Sequence, residues 1–312
     1  MSPPTTLFGG ALIGTSFTTP EQVQELLDQL KSLGIDRIDT AARYSPTAPR
    51  SSERLLGETQ AAAQGFIIDT KVNTSSGDGA GTLAAAAIEK SLEESLSLLH
   101  MSKVNVLHFH RPDPETSVVE QAAAIQRQYL AGRFEKFGLS NFPPEQVAEL
   151  ITICEKKGYV KPSVYQGLYN LLSRESEETL FPLLRKHNIA FNAYSPLAGG
   201  FLTGRATRGD AEGTRFGANS KFASNPLIAR YKTSEMHAAM IDLLNLLEPL
   251  GISGSEACLR WLYYHSALSE GDGVILGASK MPQIVQNMAD ILKGPLPTEV
   301  LQKIDLLWEK VR

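Results

Sequence analysis

Arg37-Ile38-Asp39-Thr40-Ala41-Ala42-Arg43-Tyr44 is a short strand that ends on an aspartate and turns into a loop carrying a tyrosine. Taken alone, the pair reads as a capped loop with an aromatic packed on it. Three later segments end the same way. Phe66-Ile-Ile-Asp-Thr-Lys71 closes on a lysine, Val104-Asn-Val-Leu-His-Phe-His110 on a histidine, and Phe137-Gly-Leu-Ser140-Asn141 on a polar pair. Strands that are apolar along their length and polar at the C-terminal tip place chemistry at that tip.

Working outward, strands alternate with helices along the whole chain. The first strand is expected at Ala11–Thr15, before a helix announced by Thr19 at the N-cap, Pro20 at N1 and Gln22 at N3. Val23, Leu26, Leu27 and Leu30 recur at helical spacing, and Gly34 stops the helix. Strand tips then fall at Asp39, Lys71, His110, Ser140, Gln166, Tyr194 and Gly277, with helices between them. Such alternation implies a parallel sheet with right-handed crossovers. Eight units at a spacing of roughly 30 residues predict a (β/α)8 TIM barrel. A long Gly-rich stretch, Pro196–Lys232, follows strand seven, and helices near Pro282–Leu292 and Thr298–Val311 close the chain. A doubly wound open sheet would favour a GxGxxG after the first strand, and none is present. No linker divides the chain, so one domain over 1–312 is expected.

Of the 312 residues, 42% are hydrophobic and 21% charged, with a net charge of -4, which suits a globular protein and gives no case for nucleic acid. Two cysteines, Cys154 and Cys258, with no CxxC and no histidine at ligand spacing, argue against disulfides and against a metal site. The opening residues lack the order of a signal peptide, and no apolar run reaches the roughly 18 residues of a membrane span. A cytoplasmic setting is the expectation.

Adjacent tips of strands two to four would bring Asp39, Tyr44, Lys71 and His110 together. A free phenol holds its proton until pH ~10, and a neighbouring ammonium favours the phenolate. An aspartate keeps that ammonium charged, and a histidine can donate a hydrogen bond to a carbonyl oxygen. The set fits proton delivery to an oxygen that becomes an alkoxide. None of these groups donates hydride, so carbonyl reduction requires a cofactor.

With these residues in view, the chain resembles the aldo-keto reductases from Ala11 nearly to its end. That resemblance implies a (β/α)8 barrel reducing aldehydes or ketones with NADPH, and an Asp-Tyr-Lys-His tetrad matched by Asp39, Tyr44, Lys71 and His110. The family motif His-x-Pro selects His110 (before Arg111-Pro112) over His108, which is read as packing. By the same resemblance Ser140, Asn141 and Gln166 would hold the nicotinamide amide, and Tyr194 would stack on the ring. Tyr194-Ser195-Pro196-Leu197-Ala-Gly199-Gly-Phe-Leu202-Thr-Gly204-Arg205 resembles the loop over the pyrophosphate. Gly277, Ser279, Lys280, Gln283, Gln286 and Asn287 resemble the adenosine-phosphate segment, and Arg215 could close over the cofactor from the long loop. The aflatoxin-aldehyde and succinic-semialdehyde reductases are the subgroup most similar, through Val164-Tyr-Gln-Gly-Leu-Tyr-Asn170 and Thr214-Arg215-Phe216-Gly. It implies that Arg230 and Arg312 meet a substrate acid group.

Plainer readings stand beside these. Asp39 and Lys71 could form a buried ion pair, Tyr194 could pack in the core, Ser279 and Lys280 could only start a helix, and Arg230 and Arg312 could be surface arginines. Two further functions fit the same residues: a non-enzymatic, cofactor-binding auxiliary subunit, and a secondary-metabolism reductase with one narrow substrate. A small carbonyl compound is the expected partner, and a homodimer is left open.

Overall fold

The computed structural model describes residues 3–45, 48–74, 77–220 and 225–312. Eight parallel strands close into a barrel in chain order: β1 (Thr5–Gly9), β2 (Arg37–Asp39), β3 (Ile67–Lys71), β4 (Val104–Phe109), β5 (Phe134–Ser140), β6 (Pro162–Leu168), β7 (Ala190–Tyr194) and β8 (Gly273–Leu276). Helices α1 (Pro20–Ser32), α2 (Ser51–Glu58), α3 (Ala85–Leu99), α4 (Val118–Leu130), α5 (Pro144–Lys157) and α6 (Leu180–Lys186) follow β1 to β6. After β7 come α7 (Pro226–Ala229), α8 (Ser234–Leu247) and α9 (Gly254–Tyr264); α10 (Met281–Ile291) and α11 (Thr298–Val311) follow β8. This is the expected (β/α)8 TIM barrel with a long excursion after strand seven and extra C-terminal helices.

Local chemistry explains the helices. The Gln22 amide donates to Thr19 Oγ1 at 3.4 Å at the start of α1, and Val23, Leu26, Leu27 and Leu30 form its buried stripe. Gly34 ends it at φ 72°. At α9 the Glu256 amide donates to Ser253 Oγ at 3.1 Å. The Glu256 carboxylate does not complete a capping box; it accepts from Arg260 and Lys293. Of the described residues, none forms a helix long and apolar enough to cross a membrane.

One strand is displaced from its expected place. β1 is Thr5–Gly9, and Gly10–Leu12 is a short 3-10 turn instead of strand. Leu7 and Phe8 are the buried pair that β2 and β8 flank. Ala11-Leu-Ile is equally apolar but lies past the sheet, so the first tip is Gly9 and Thr15 belongs to the loop. The other boundaries differ from expectation by a few residues at element ends, where fraying and turns dominate. Of the long stretch after strand seven, residues 221–224 lie outside those described.

Alternation along β3 sets up the site. Asp69 and Lys71 share one face, and Thr70 between them takes the other. On the first face Asp69 pairs with Arg37 Nη2 at 2.7 Å and accepts from Asn105 Nδ2 at 2.7 Å. On the second, Thr70 meets α2, where its hydroxyl donates to Glu53. His108 is the cross-strand neighbour of Lys71. It fits because position 138 on β5 is glycine: a Cβ there would lie 2.4 Å from His108 Cδ2.

Candidate active site

Asp39 ends β2, Lys71 ends β3, and His110 immediately follows β4, so three of the four groups sit on neighbouring strand tips. Tyr44 arrives from the loop after β2. That loop is clamped by the approach to α2: the Arg50 amide donates to Ala42 O at 3.0 Å and the Ser52 amide to Tyr44 O at 3.5 Å. Thr15 and Ser45 hydroxyls also meet across the loop.

Lys71 is the hub. Its Nζ donates to Asp39 Oδ1 at 2.6 Å, Asp39 Oδ2 at 2.7 Å and Thr40 O at 2.9 Å, and lies 3.2 Å from the Tyr44 hydroxyl. The side chain has no solvent exposure. Burial works against its charge, but Asp39 and Tyr44 overcome that, and the net pKa is raised. Tyr44 is raised as well. Burial is the largest cause, Lys71 opposes it, and Asp39 adds to it. The sequence led us to expect lysine to lower the phenol; desolvation outweighs the lysine, so the free site holds a protonated tyrosine.

His110 stands edge-on to Tyr44, ring centroids 6.0 Å apart at 81°. Its pKa lies well below the ordinary imidazole value, through burial first and then Lys71, Arg43, His108 and Arg111. Its Nδ1 is buried without a hydrogen-bond partner among the described residues. A neutral imidazole beside a phenol can donate a hydrogen bond without giving up a proton. His108 is also held neutral, by burial and then Lys71, and its Nδ1 lies 3.3 Å from Thr70 O.

The residues assigned to a cofactor line up beside this cluster. Asn141, at φ 63°, donates from Nδ2 to His110 O at 3.0 Å and accepts at Oδ1 from the Tyr194 hydroxyl at 2.9 Å. Ser140 is buried, and its Oγ accepts from Asn141 Nδ2 at 3.0 Å. Gln166, expected against a cofactor amide, donates from Nε2 to Asp39 Oδ1 at 2.8 Å. Beyond Tyr194 the backbone turns through positive φ at Ser195, Ala198, Gly199, Gly200 and Gly204. Gly200, at φ 102°, has no atom within 4 Å of a would-be Cβ, so conformation and not space calls for glycine there. Pro196 and Leu197 lead into the short helix Ala198–Thr203, where Leu202 is buried.

At the other end, Gly277 faces open space, and Ser279 N, Ser279 Oγ and Lys280 N all donate to Gln283 Oε1, at 2.9, 3.2 and 3.1 Å. Gln283 therefore occupies the donors that an anion at the start of α10 would use. Gln286 donates to Asp290 at 2.9 Å, and Asn287 is buried. Arg205 is exposed and paired with Asp210 at 2.7 Å. Arg215 is half-buried: burial lowers its pKa, and its charge interaction with Tyr44 opposes this. A phosphate-approachable loop, an aromatic at a strand tip and helix amides around a displaceable side chain together fit a dinucleotide.

The two arginines assigned to a substrate acid are engaged elsewhere. Arg230 pairs with Glu175, and Arg312 lies 3.6 Å from Glu178 and 2.8 Å from Glu309. Their side chains are 37% and 50% exposed, which makes these surface ion pairs. Sequence reasoning passed over Arg43 and Arg111, the cations next to Tyr44 and His110 in the chain, and Glu53, buried behind Lys71. Adjacency to tetrad members was the available signal for the first two. No group of His, Cys, Asp and Glu side chains able to hold a metal ion occurs among the described residues.

Comparison with known proteins agrees with this geometry. The model of the aldo/keto reductase family matches residues 6–309. Aflatoxin B1 aldehyde reductase member 2 of Homo sapiens is 36% identical over 289 residues, 89% of this chain and 79% of the relative. The oxidoreductase sirO of Leptosphaeria maculans is 35% identical over 97% of this chain and 90% of its own. An aldo-keto reductase of Pseudocercospora fijiensis is 32% identical over 92% and 97%. A barrel with this order of strands, matched by the family model over nearly its whole length, belongs to the aldo/keto reductase family.

Proposed function

We propose that this oxidoreductase reduces an aldehyde or ketone to an alcohol with NADPH, as one domain in a reducing, cytoplasmic setting, and that Tyr44 supplies the proton. The observation that carries the reading is the Tyr44 hydroxyl 3.2 Å from a fully buried Lys71 ammonium. Burial keeps the phenol protonated until it is needed. As the Tyr44 proton moves to the substrate oxygen, negative charge develops on the phenolic oxygen, and Lys71 meets it at once. Asp39, fixed by two contacts from Lys71 and one from Gln166, keeps the ammonium charged and aimed. Neutral His110 donates a hydrogen bond to the same substrate oxygen and so orients the carbonyl.

When bound, the reduced nicotinamide supplies the hydride. Tyr194 and Asn141 would hold its ring and amide, with Ser140 and Gln166 beneath. The loop from Ser195 to Arg205 would cover the pyrophosphate, and Gly277, Ser279, Lys280, Gln283, Gln286 and Asn287 the adenosine phosphate. Several relatives are named as aldehyde reductases, which favours an aldehyde. Arg215, near Tyr44, is better placed than Arg230 or Arg312 to meet a polar substituent on it.

NADPH oxidation by the purified protein with a panel of aldehydes and ketones tests the reading. Turnover with some member, lost in Tyr44→Phe, is expected. NADPH binding without turnover on any carbonyl would point instead to an auxiliary subunit.

A further inference from the structure

Glu53 is a glutamate with no solvent exposure, one turn into α2, on the far side of β3 from the tetrad. A buried carboxylate is expensive unless it is paired and hydrogen-bonded. Here Oε1 accepts from the Thr70 hydroxyl at 2.6 Å, and Oε2 lies 3.2 Å from Arg50 Nη1. Ser95 of α3, whose Oγ accepts from Arg50 Nη1 at 3.4 Å, also favours the carboxylate. Arg50 is itself gripped by Glu94 of α3 at 2.5 Å. Next to Glu53, Ser52 Oγ donates to Gly10 O at 2.9 Å and meets Thr40 Oγ1 at 2.8 Å. The start of α2 therefore holds the residue after Asp39 and the residue before Lys71 by side-chain hydrogen bonds. Its lead-in holds the Tyr44 loop through the backbone.

Resting on the reductase reading above, we propose that Glu53 is a positioning residue of the reaction. Through Thr70 it fixes the end of β3 that presents Lys71. Lys71 is the next residue along β3 after Thr70, so the Glu53 charge acts on its ammonium from across the strand, a smaller influence on the carboxylate than Thr70, Ser95 or Arg50. Around Glu53 are Arg50 of its own approach, Thr70 of β3 and Ser95 of α3, with Glu94 beyond Arg50 and Lys71 on the opposite face of β3. Facing Lys71 are Asp39, Tyr44, His108 and His110. A purely structural glutamate would affect folding alone. A positioning one also sets the pH at which the Lys71–Tyr44 pair gives up a proton.

The sign follows from charge. Removing a negative group lowers the pKa of every neighbouring acid, Lys71 and Tyr44 alike. The alkaline limb of the kcat profile in carbonyl reduction should move to lower pH. The test measures kcat and KM between pH 5 and 10, NADPH affinity and thermal midpoint for wild type, Glu53→Gln and Thr70→Val. For Glu53→Gln we expect the alkaline limb to fall by about half a pH unit or more, with NADPH affinity within twofold. Thr70→Val, which unhooks the carboxylate from β3 but keeps its charge, should lower kcat with KM and NADPH affinity little changed, and it decides the matter if Glu53→Gln does not fold. A limb that stays in place in folded Glu53→Gln, or an unchanged kcat in folded Thr70→Val, overturns the proposal, whatever their thermal midpoints. Wild type inactive on every carbonyl would sink the reductase reading and this inference with it; active wild type with an unmoved limb sinks this inference alone.

Discussion

Lys71 Nζ lies 2.6 and 2.7 Å from the two carboxylate oxygens of Asp39, with neither side chain more than 2% exposed. A buried ion pair of this kind contributes little net stability, because desolvation offsets most of the attraction. Its use is to place one charge beside one hydroxyl. Lys71→Met would leave Asp39 charged and uncompensated against Tyr44, so both burial and Asp39 would hold the phenol's proton. We expect kcat to fall by a factor of at least about 100, with a marked loss of thermal stability from the unpaired carboxylate. Retention of most activity would remove Lys71 from the mechanism.

Tyr44→Phe removes the proton and leaves the packing. Loss of turnover by a factor on the order of 100 to 10,000 is expected, with NADPH affinity close to wild type by fluorescence quenching. A parallel loss of affinity and rate would mean that the hydroxyl holds the cofactor.

The tetrad was legible because its members end strands, and strand ends are marked by a change from apolar to polar. Asp39, Lys71 and His110 each follow such a run, and Tyr44 follows Asp39 closely. β1 was misplaced because Ala11-Leu-Ile and Thr5–Gly9 are both short apolar runs beside glycines. Only pairing with β2 and β8 separates them. Glu53 was invisible for another reason. A glutamate in a helix's first turn is an ordinary sight, and its burial depends on Thr70 and Arg50 arriving from elsewhere. The ion pairs of Arg230 and Arg312 with Glu175 and Glu178 likewise join parts of the chain that no local pattern connects.

His110 and His108 both belong to the end of β4, but they answer to different neighbours. His110 faces the Tyr44 ring, and His108 fills the space that Gly138 leaves. His110→Ala should lower kcat by about 100-fold, the scale of a lost hydrogen-bond donor at a developing oxyanion, with little change in stability. His108→Ala should chiefly destabilise. Gly138→Ala forces a methyl to within 2.4 Å of the ring and should cost about 1–3 kcal/mol by overpacking. In the His108→Ala background that cost should largely vanish, since the clashing partner is gone. Additive losses in urea melts would show that position 138 is constrained by something other than the ring.

Acid should destabilise the fold through the same histidine. Burial, then Lys71, holds His108 well below its ordinary pKa, so the folded state resists protonation. The unfolded chain accepts that proton as pH falls through about 6.5. Below that point the unfolded state binds more protons and stability drops, by up to about 1.4 kcal/mol per pH unit, until the folded pKa is reached. Glu53 and Asp69, both raised by burial, act in the opposite sense above the unfolded carboxylate range. The contribution of His108 is therefore read as a difference: His108→Asn should lose less stability than wild type between pH 7 and 5 in urea unfolding. Parallel curves would mean that His108 does not supply the acid sensitivity.

Cofactor choice is predicted to turn on the start of α10. NADP differs from NAD by a 2′-phosphate, which needs positive charge and hydrogen-bond donors. Three donors are gathered there on Gln283 Oε1, and Lys280 is exposed beside them. A phosphate oxygen in place of the Gln283 carbonyl would keep the donors satisfied and gain from the helix amides and the lysine. We expect NADPH to bind more tightly than NADH. Lys280→Ala should cost about 1–3 kcal/mol of NADPH affinity, the range for a charged hydrogen bond or its unsatisfied remnant, and leave NADH nearly unchanged. Gln283→Glu places a carboxylate on the same donors and should weaken NADPH further by repulsion. Arg215→Ala should leave the ratio of the two cofactors alone and act on kcat/KM, because Tyr44 is the charged partner that acts on Arg215. Fluorescence quenching with both cofactors across the three variants, together with kcat/KM for Arg215→Ala, separates these roles. Equal wild-type affinities, or equal losses for both cofactors in Lys280→Ala, would show that the start of α10 does not read the 2′-phosphate.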